Sequence, residues 1–88
     1  MKTIYKYQIP MSGIVVLPAE YKILKFGIQQ ETICLWALVD SETERIAKEF
    51  VVVGTGWNLD DKLDDRWQHM ETLFENGFVW HVFMKENR

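Results

Sequence analysis

The sequence predicts an all-β protein: a small antiparallel β-sandwich or barrel of five to seven strands, with a short helical or irregular segment near residues 58–66. Three observations predict it. Residues 3–9, 21–28 and 46–53 alternate with period two and are rich in β-branched and aromatic side chains, as half-buried strands require. Residues 33–39 and 78–83 are apolar on both alternating faces, as expected of a strand inside a sheet or against another subunit. Asn76-Gly77 stands directly before the second of these, and Asn-Gly between strand-like runs is a strong hairpin signal.

Taken in order, Thr3, Tyr5, Tyr7 and Ile9 form one face of a first strand, against Ile4, Lys6 and Gln8. Pro10 ends it, because proline has no backbone donor for a ladder. Ile14 to Leu17 is a short β-branched run closed by Pro18, which confines it to a sheet edge. In residues 21–28, Leu24, Phe26 and Ile28 share a face, with Lys22 opening the same row. Gln29-Gln30 is the expected tight connection to the next strand. There Ile33, Leu35, Ala37 and Val39 form one row, and Cys34, Trp36 and Leu38 the other. Residues 40–44 are polar and predict a solvent loop. Ile46, Phe50 and Val52 then oppose Ala47, Val51 and Val53 until Gly54-Thr55-Gly56 stops the strand.

Residues 57–75 admit two readings. Asn58 suits a helix cap, Asp60 and Asp61 suit a first helical turn, and Leu59, Leu63, Trp67, Met70 and Phe74 fall at helical spacing. The Asn76-Gly77 turn instead demands that the residues before it be extended. A turn or irregular loop over 58–66 followed by a strand satisfies both. Pairing across Asn76-Gly77 then sets Thr72 opposite His81 and Met70 opposite Phe83, with His69 on the face of Glu71.

The 88 residues predict one domain, 1–88. A composition 48% hydrophobic and 14% aromatic is rich for that length, pointing to a tightly filled core, a subunit interface, or both. The one cysteine, Cys34, has no internal disulfide partner and suits a reducing compartment as a small core residue. No apolar run approaches the roughly 20 residues of a membrane-spanning helix. The net charge of −3 is uneven: residues 1–30 carry four Lys against one Glu, and residues 31–75 carry eleven acids against four bases. Non-specific binding to nucleic-acid backbone is therefore not expected over most of the surface, while Lys2, Lys6, Lys22 and Lys25 leave room for a local basic patch.

The segments Cys34-Leu35-Trp36-Ala37-Leu38-Val39-Asp40, Val52-Val53-Gly54-Thr55-Gly56 and Phe78-Val79-Trp80-His81-Val82-Phe83 resemble those of a small family of uncharacterised phage and bacterial proteins. The resemblance extends to the opening Lys2-Thr3-Ile4-Tyr5-Lys6-Tyr7 and to Leu17-Pro18, and so covers nearly the whole chain. It implies an all-β fold, an extended segment before the last strand, and a phage or prophage accessory protein working in the host cytoplasm. Residues 59–67 depart from it, being more acidic and more helix-like. The family carries no assigned activity, so no catalytic residue transfers.

Searching the residues for chemistry gives little. The histidines are His69 and His81, where a zinc site wants three or four converging ligands. Asp60, Asp61, Asp64 and Asp65 come as adjacent pairs, without the alternate spacing and mid-loop glycine of a calcium loop. Gly54-Thr55-Gly56 has no following lysine of the phosphate-loop kind. The expectation is a protein with no catalytic residues, no metal and no cofactor, and so not an enzyme. The remaining signal is four tryptophans. Trp36 and Trp80 suit the core. Trp57 and Trp67 flank the acidic segment and, with Thr55 and the base Arg66, are the candidate ligand- or partner-binding residues. Three readings of function follow: a non-catalytic binder that sequesters a nucleotide-like signal of host defence, a protein-binding inhibitor of a defence complex, and a structural or assembly protein. The strands apolar on both faces add a homo-oligomer, most simply a two-fold dimer, with some of Trp36, Leu38, Val79 and Phe83 at the contact.

Overall fold

The computed structural model describes residues 1–86, which form seven antiparallel strands in two sheets and no helix. The strands are β1 (Lys2–Gln8), β2 (Ser12–Pro18), β3 (Tyr21–Gln29), β4 (Thr32–Asp40), β5 (Arg45–Gly54), β6 (Trp67–Glu75) and β7 (Phe78–Lys85). One sheet has the order β1-β4-β3 and the other β2-β5-β7-β6. The sheets remain open, so this is a sandwich and not a closed barrel. Each strand apolar on both faces, β4 and β7, has a neighbour on either side, and the proline-closed β2 is an edge.

The core lies between the sheets. Phe26 and Leu35 from the first sheet meet Val15, Phe50, Val52, Val82 and Met84 from the second, with Ile9 closing one end. The ring centroids of Phe26 and Phe50 are 6.4 Å apart in an edge-to-face contact that bridges the sheets. Tyr7 and Tyr21 face inward from β1 and β3, and desolvation by burial pushes both phenols above their ordinary range. Cys34 is buried, as a small apolar residue would be. In β5 the other face is also buried at Val51 and Val53, beneath a groove walled by Trp57, Asp61, Lys62 and Trp67.

The structure corrects the sequence reading in three places. The β3–β4 turn is Gln30-Glu31, one residue later than expected, since Gln29 pairs with Thr32. Both turn residues have positive φ, 52° and 65°, without a glycine. In β3 the register shifts at Leu24, so Ile23 and Phe26 face inward while Lys22 and Lys25 face out. Leu24 is bulged and half-exposed, and Lys22 leaves the row of Phe26. In β6 a second register shift at Met70 sets His69, not Met70, opposite Phe83. A bulge adds one residue and reverses every later side chain, so His69 lies with Thr72 and His81, not with Glu71. Thr72 pairs with His81 as expected.

Residues 55–66 form an irregular chain of turns rather than a helix. Asn58 Oδ1 accepts from the Asp60 amide and Asp64 Oδ1 from the Arg66 amide, two local turns that compete with helical bonding. The hairpin is as expected: Asn76 and Gly77 have φ of 45° and 87°, the paired positive values of a type I′ turn. A Cβ at Gly77 would meet nothing within 4 Å. Gly77→Val should nevertheless cost about 1–3 kcal/mol, because its penalty is backbone strain and not crowding. Thermal melting checks this, and a melting temperature equal to the parent's would refute it.

Candidate functional site

The candidate site forms where β5 ends beside the β6–β7 hairpin. Gly54 pairs with Trp80, and the chain then reverses through Gly56 at φ 87°, with the Trp57 amide donating to the Gly54 carbonyl at 3.3 Å. This reversal folds the Trp57 ring back over Gly54. A Cβ at residue 54 would stand 2.6 Å from Trp57 Nε1, so the glycine supplies room for the indole. Trp57 then meets Trp80 edge-to-face at 6.0 Å. Trp80 stacks on Phe78 at 5.9 Å with an 18° interplanar angle, because residues two apart on a strand share a face.

These three rings and Gly54, Thr55, Gly77 and Val79 line a groove of about 380 Å³. Trp57 is 47% exposed and Phe78 62%, while Trp80 is half-buried. Phe74 on β6, 77% exposed, pairs with Val79 and so lies on the opposite face of the sheet from Phe78 and Trp80. Among the described residues, no charged side chain lines the groove.

Thr55 is fastened from below. Its Oγ1 lies 2.7 Å from His81 Nε2, His81 Nδ1 lies 2.9 Å from Thr72 Oγ1, and Thr72 Oγ1 lies 2.9 Å from His69 Nε2. With both rings neutral, each hydroxyl and each ring N–H can donate in one direction along this chain. Among the described residues, its members are two threonines and two histidines. Its visible work is mechanical: it ties the start of the 55–66 segment to β7 and β6. His69 also packs edge-on against Phe83, with centroids 5.4 Å apart.

The four residues expected at the site do not converge on one groove. Thr55 and Trp57 share the aromatic groove. Trp67 shares only the neighbouring groove with Trp57, and Lys85 Nζ sits 5.5 Å from its ring centroid. Arg66 lies outside both grooves, in a charged hollow that it shares with Trp67, Asp60, Asp61 and Lys62. Its Nη2 is 2.9 Å from Asp64 Oδ2, and its Nε also donates to that carboxylate. This pairing holds the exposed Asp64 carboxyl below the usual carboxylate range and raises the Arg66 pKa. Arg66 is therefore engaged away from the groove. The residues that sequence reasoning missed are Phe78, Trp80 and Gly54. The i, i+2 placement of Phe78 and Trp80 beside a glycine-rich strand end was the available signal. The dimer candidates also divide, Trp36 and Leu38 lying on the outer face of β1-β4-β3 and Val79 and Phe83 on the outer face of the other sheet. A single two-fold contact cannot use both pairs.

Fold and site together define a two-sheet antiparallel sandwich with an open aromatic groove at one end of its larger sheet. The chain belongs to the DUF7352 family, a domain of unknown function whose family model matches residues 1–88. No curated protein and no solved structure matches the chain.

Proposed function

We propose that this is a non-catalytic binding protein that takes a partner protein's apolar side chain into the groove of Trp57, Phe78 and Trp80. The observation that carries the reading is the half-exposed Trp57 ring, held in place by Gly54 and Trp80 but left open to solvent. Rigid, partly exposed aromatic rings lose little entropy on binding and are the commonest energetic centres of protein interfaces. Phe78, 62% exposed, extends the apolar rim. Of the occupants anticipated from sequence, a nucleotide-like signal is served less well, because no base lines the groove to meet its phosphates and Arg66 is held by Asp64. The resemblance to phage proteins gives the setting we propose: an accessory protein that counters host defence by engaging a component of the host cytoplasm. The rim also suits a second copy of the chain, which keeps the homo-oligomer within the proposal.

Trp57→Ala tests it. The ring is largely outside the core, so the melting temperature should stay within a few degrees of the parent's. Affinity for a partner captured from host lysate should fall at least about tenfold, the loss expected when a central tryptophan is truncated. Light scattering of the protein by itself identifies the occupant as a second copy if the dimer mass disappears with Trp57→Ala. Undiminished partner affinity, or unfolding of the variant, overturns the reading.

A further inference from the structure

The outer face of β1-β4-β3 carries a second binding surface of different chemistry. Lys6 on β1 and Lys25 on β3 both pair with Trp36 on β4, which places one lysine on each side of the indole. One row along, Ile4 and Lys22 both pair with Leu38, and Lys2 pairs with Asp40 in the row beyond. Directly paired side chains in an antiparallel sheet stand about 5 Å apart on one face. The indole leans over Gly27, where a Cβ would lie 3.4 Å from its six-membered ring. The bulge at Leu24 matters here, since it turns Lys25 outward beside Trp36.

Among the described residues, none of these four lysines is in an ion pair. Lys6 Nζ donates to the neutral Gln29 side chain at 2.8 Å. Asp40 is occupied by the Glu42 amide and by the N-terminal ammonium, 3.2 Å away, which hold its carboxyl below the usual range. Glu20 and Asp40 stand beside Lys2 and Lys22 at one end of the face and partly offset them, leaving Lys6 and Lys25 beside Trp36 as its more basic part. The acidic residues 60, 61, 64 and 65 belong to the segment that walls the grooves beside the other sheet.

We propose that this face binds single-stranded nucleic acid, with a base against Trp36 and Leu38 and the backbone phosphates met by Lys6, Lys25, Lys22 and Lys2. The occupant follows from charge and shape. Lysines flanking an aromatic ring on an open sheet supply the two parts of such a platform, a phosphate track and a stacking surface. The hollow at the Lys2 and Lys22 end of the face is about 190 Å³, too small to enclose a nucleotide, so several phosphates along the face must share the binding. A duplex hides its base faces and offers nothing to the ring. The surface is separate from the aromatic groove and does not depend on it.

The test is fluorescence anisotropy of a labelled twelve-nucleotide oligo-dT titrated with the full chain. The expected result is saturable binding whose logarithmic salt dependence has a slope of about −2 to −3, as for three or four phosphates neutralised on a single strand. Lys6→Gln with Lys25→Gln should flatten that slope by about 1.4 and leave the melting temperature unchanged, both side chains being exposed. Trp36→Leu should weaken binding roughly tenfold through lost stacking. Lys62→Gln, on the acidic segment, and Trp57→Ala should change nothing. Absence of binding at 50 mM salt and about 100 µM protein overturns the proposal. So does a duplex that binds as tightly as the single strand, or a loss of binding caused by Lys62→Gln.

Discussion

Phe50→Ala should destabilise the protein by about 4 kcal/mol, the largest effect expected of any single truncation here. Phe50 is 1% exposed and is the largest fully buried side chain. Its ring touches Phe26 across the two sheets, so truncation empties a space bordered by both. Each sheet is held by its own ladder, so the two cannot collapse into that space without breaking hydrogen bonds. For a small domain whose total stability is about 5–10 kcal/mol, the variant should be marginal at 37 °C. Urea unfolding is the measurement. A midpoint near the parent's, with an unchanged slope, would mean that the two sheets do not depend on this contact.

Trp80→Ala should cost about 3 kcal/mol, somewhat less than a fully buried tryptophan, because one side of the ring faces the groove. It packs against the core and makes two ring contacts, with Trp57 and Phe78, each worth roughly 0.5–1.5 kcal/mol beyond area burial. The variant should also lose partner binding, since Trp57 keeps only its contact with Gly54 and loses the ring that holds it edge-on. Trp80→Phe separates the two roles: it should restore most of the stability and only part of the binding. If Trp80→Ala melts with the parent, Trp80 is not a structural residue and the groove has no rigid floor.

Much of the fold was legible because its signals are local. Period-two alternation marks strands whatever their partners, Pro18 confines β2 to an edge, and Asn76-Gly77 dictates a type I′ hairpin through its own backbone preferences. The helix-like spacing of residues 59–74 was the misleading signal. Short turns made by Asn58 and Asp64 side chains, and the extended hairpin that follows, outcompete a helix with no long partner face to pack on.

The candidate site was legible in part. Thr55 and Trp57 sit together because they are close in sequence, next to a glycine whose need for space was not visible. Arg66 went elsewhere because Asp64, two residues away, satisfies its guanidinium first. Phe78 and Trp80 reach the groove only because β7 pairs with β5, and no local rule states which strands pair.

By itself, then, the sequence determined the all-β class, the strand order along the chain, the hairpin turn and the uneven distribution of charge. These depend on neighbouring residues and on backbone conformations that only certain side chains accept. The tertiary structure alone decided which sheet each strand joined and which way side chains point beyond Leu24 and Met70. A bulge inserts one residue at small local cost yet reverses every later side chain. Through those two reversals the fold set Lys25 beside Trp36 and joined His69 to Thr72 and His81, while the pairing of the strands put the two tryptophan surfaces on different sheets.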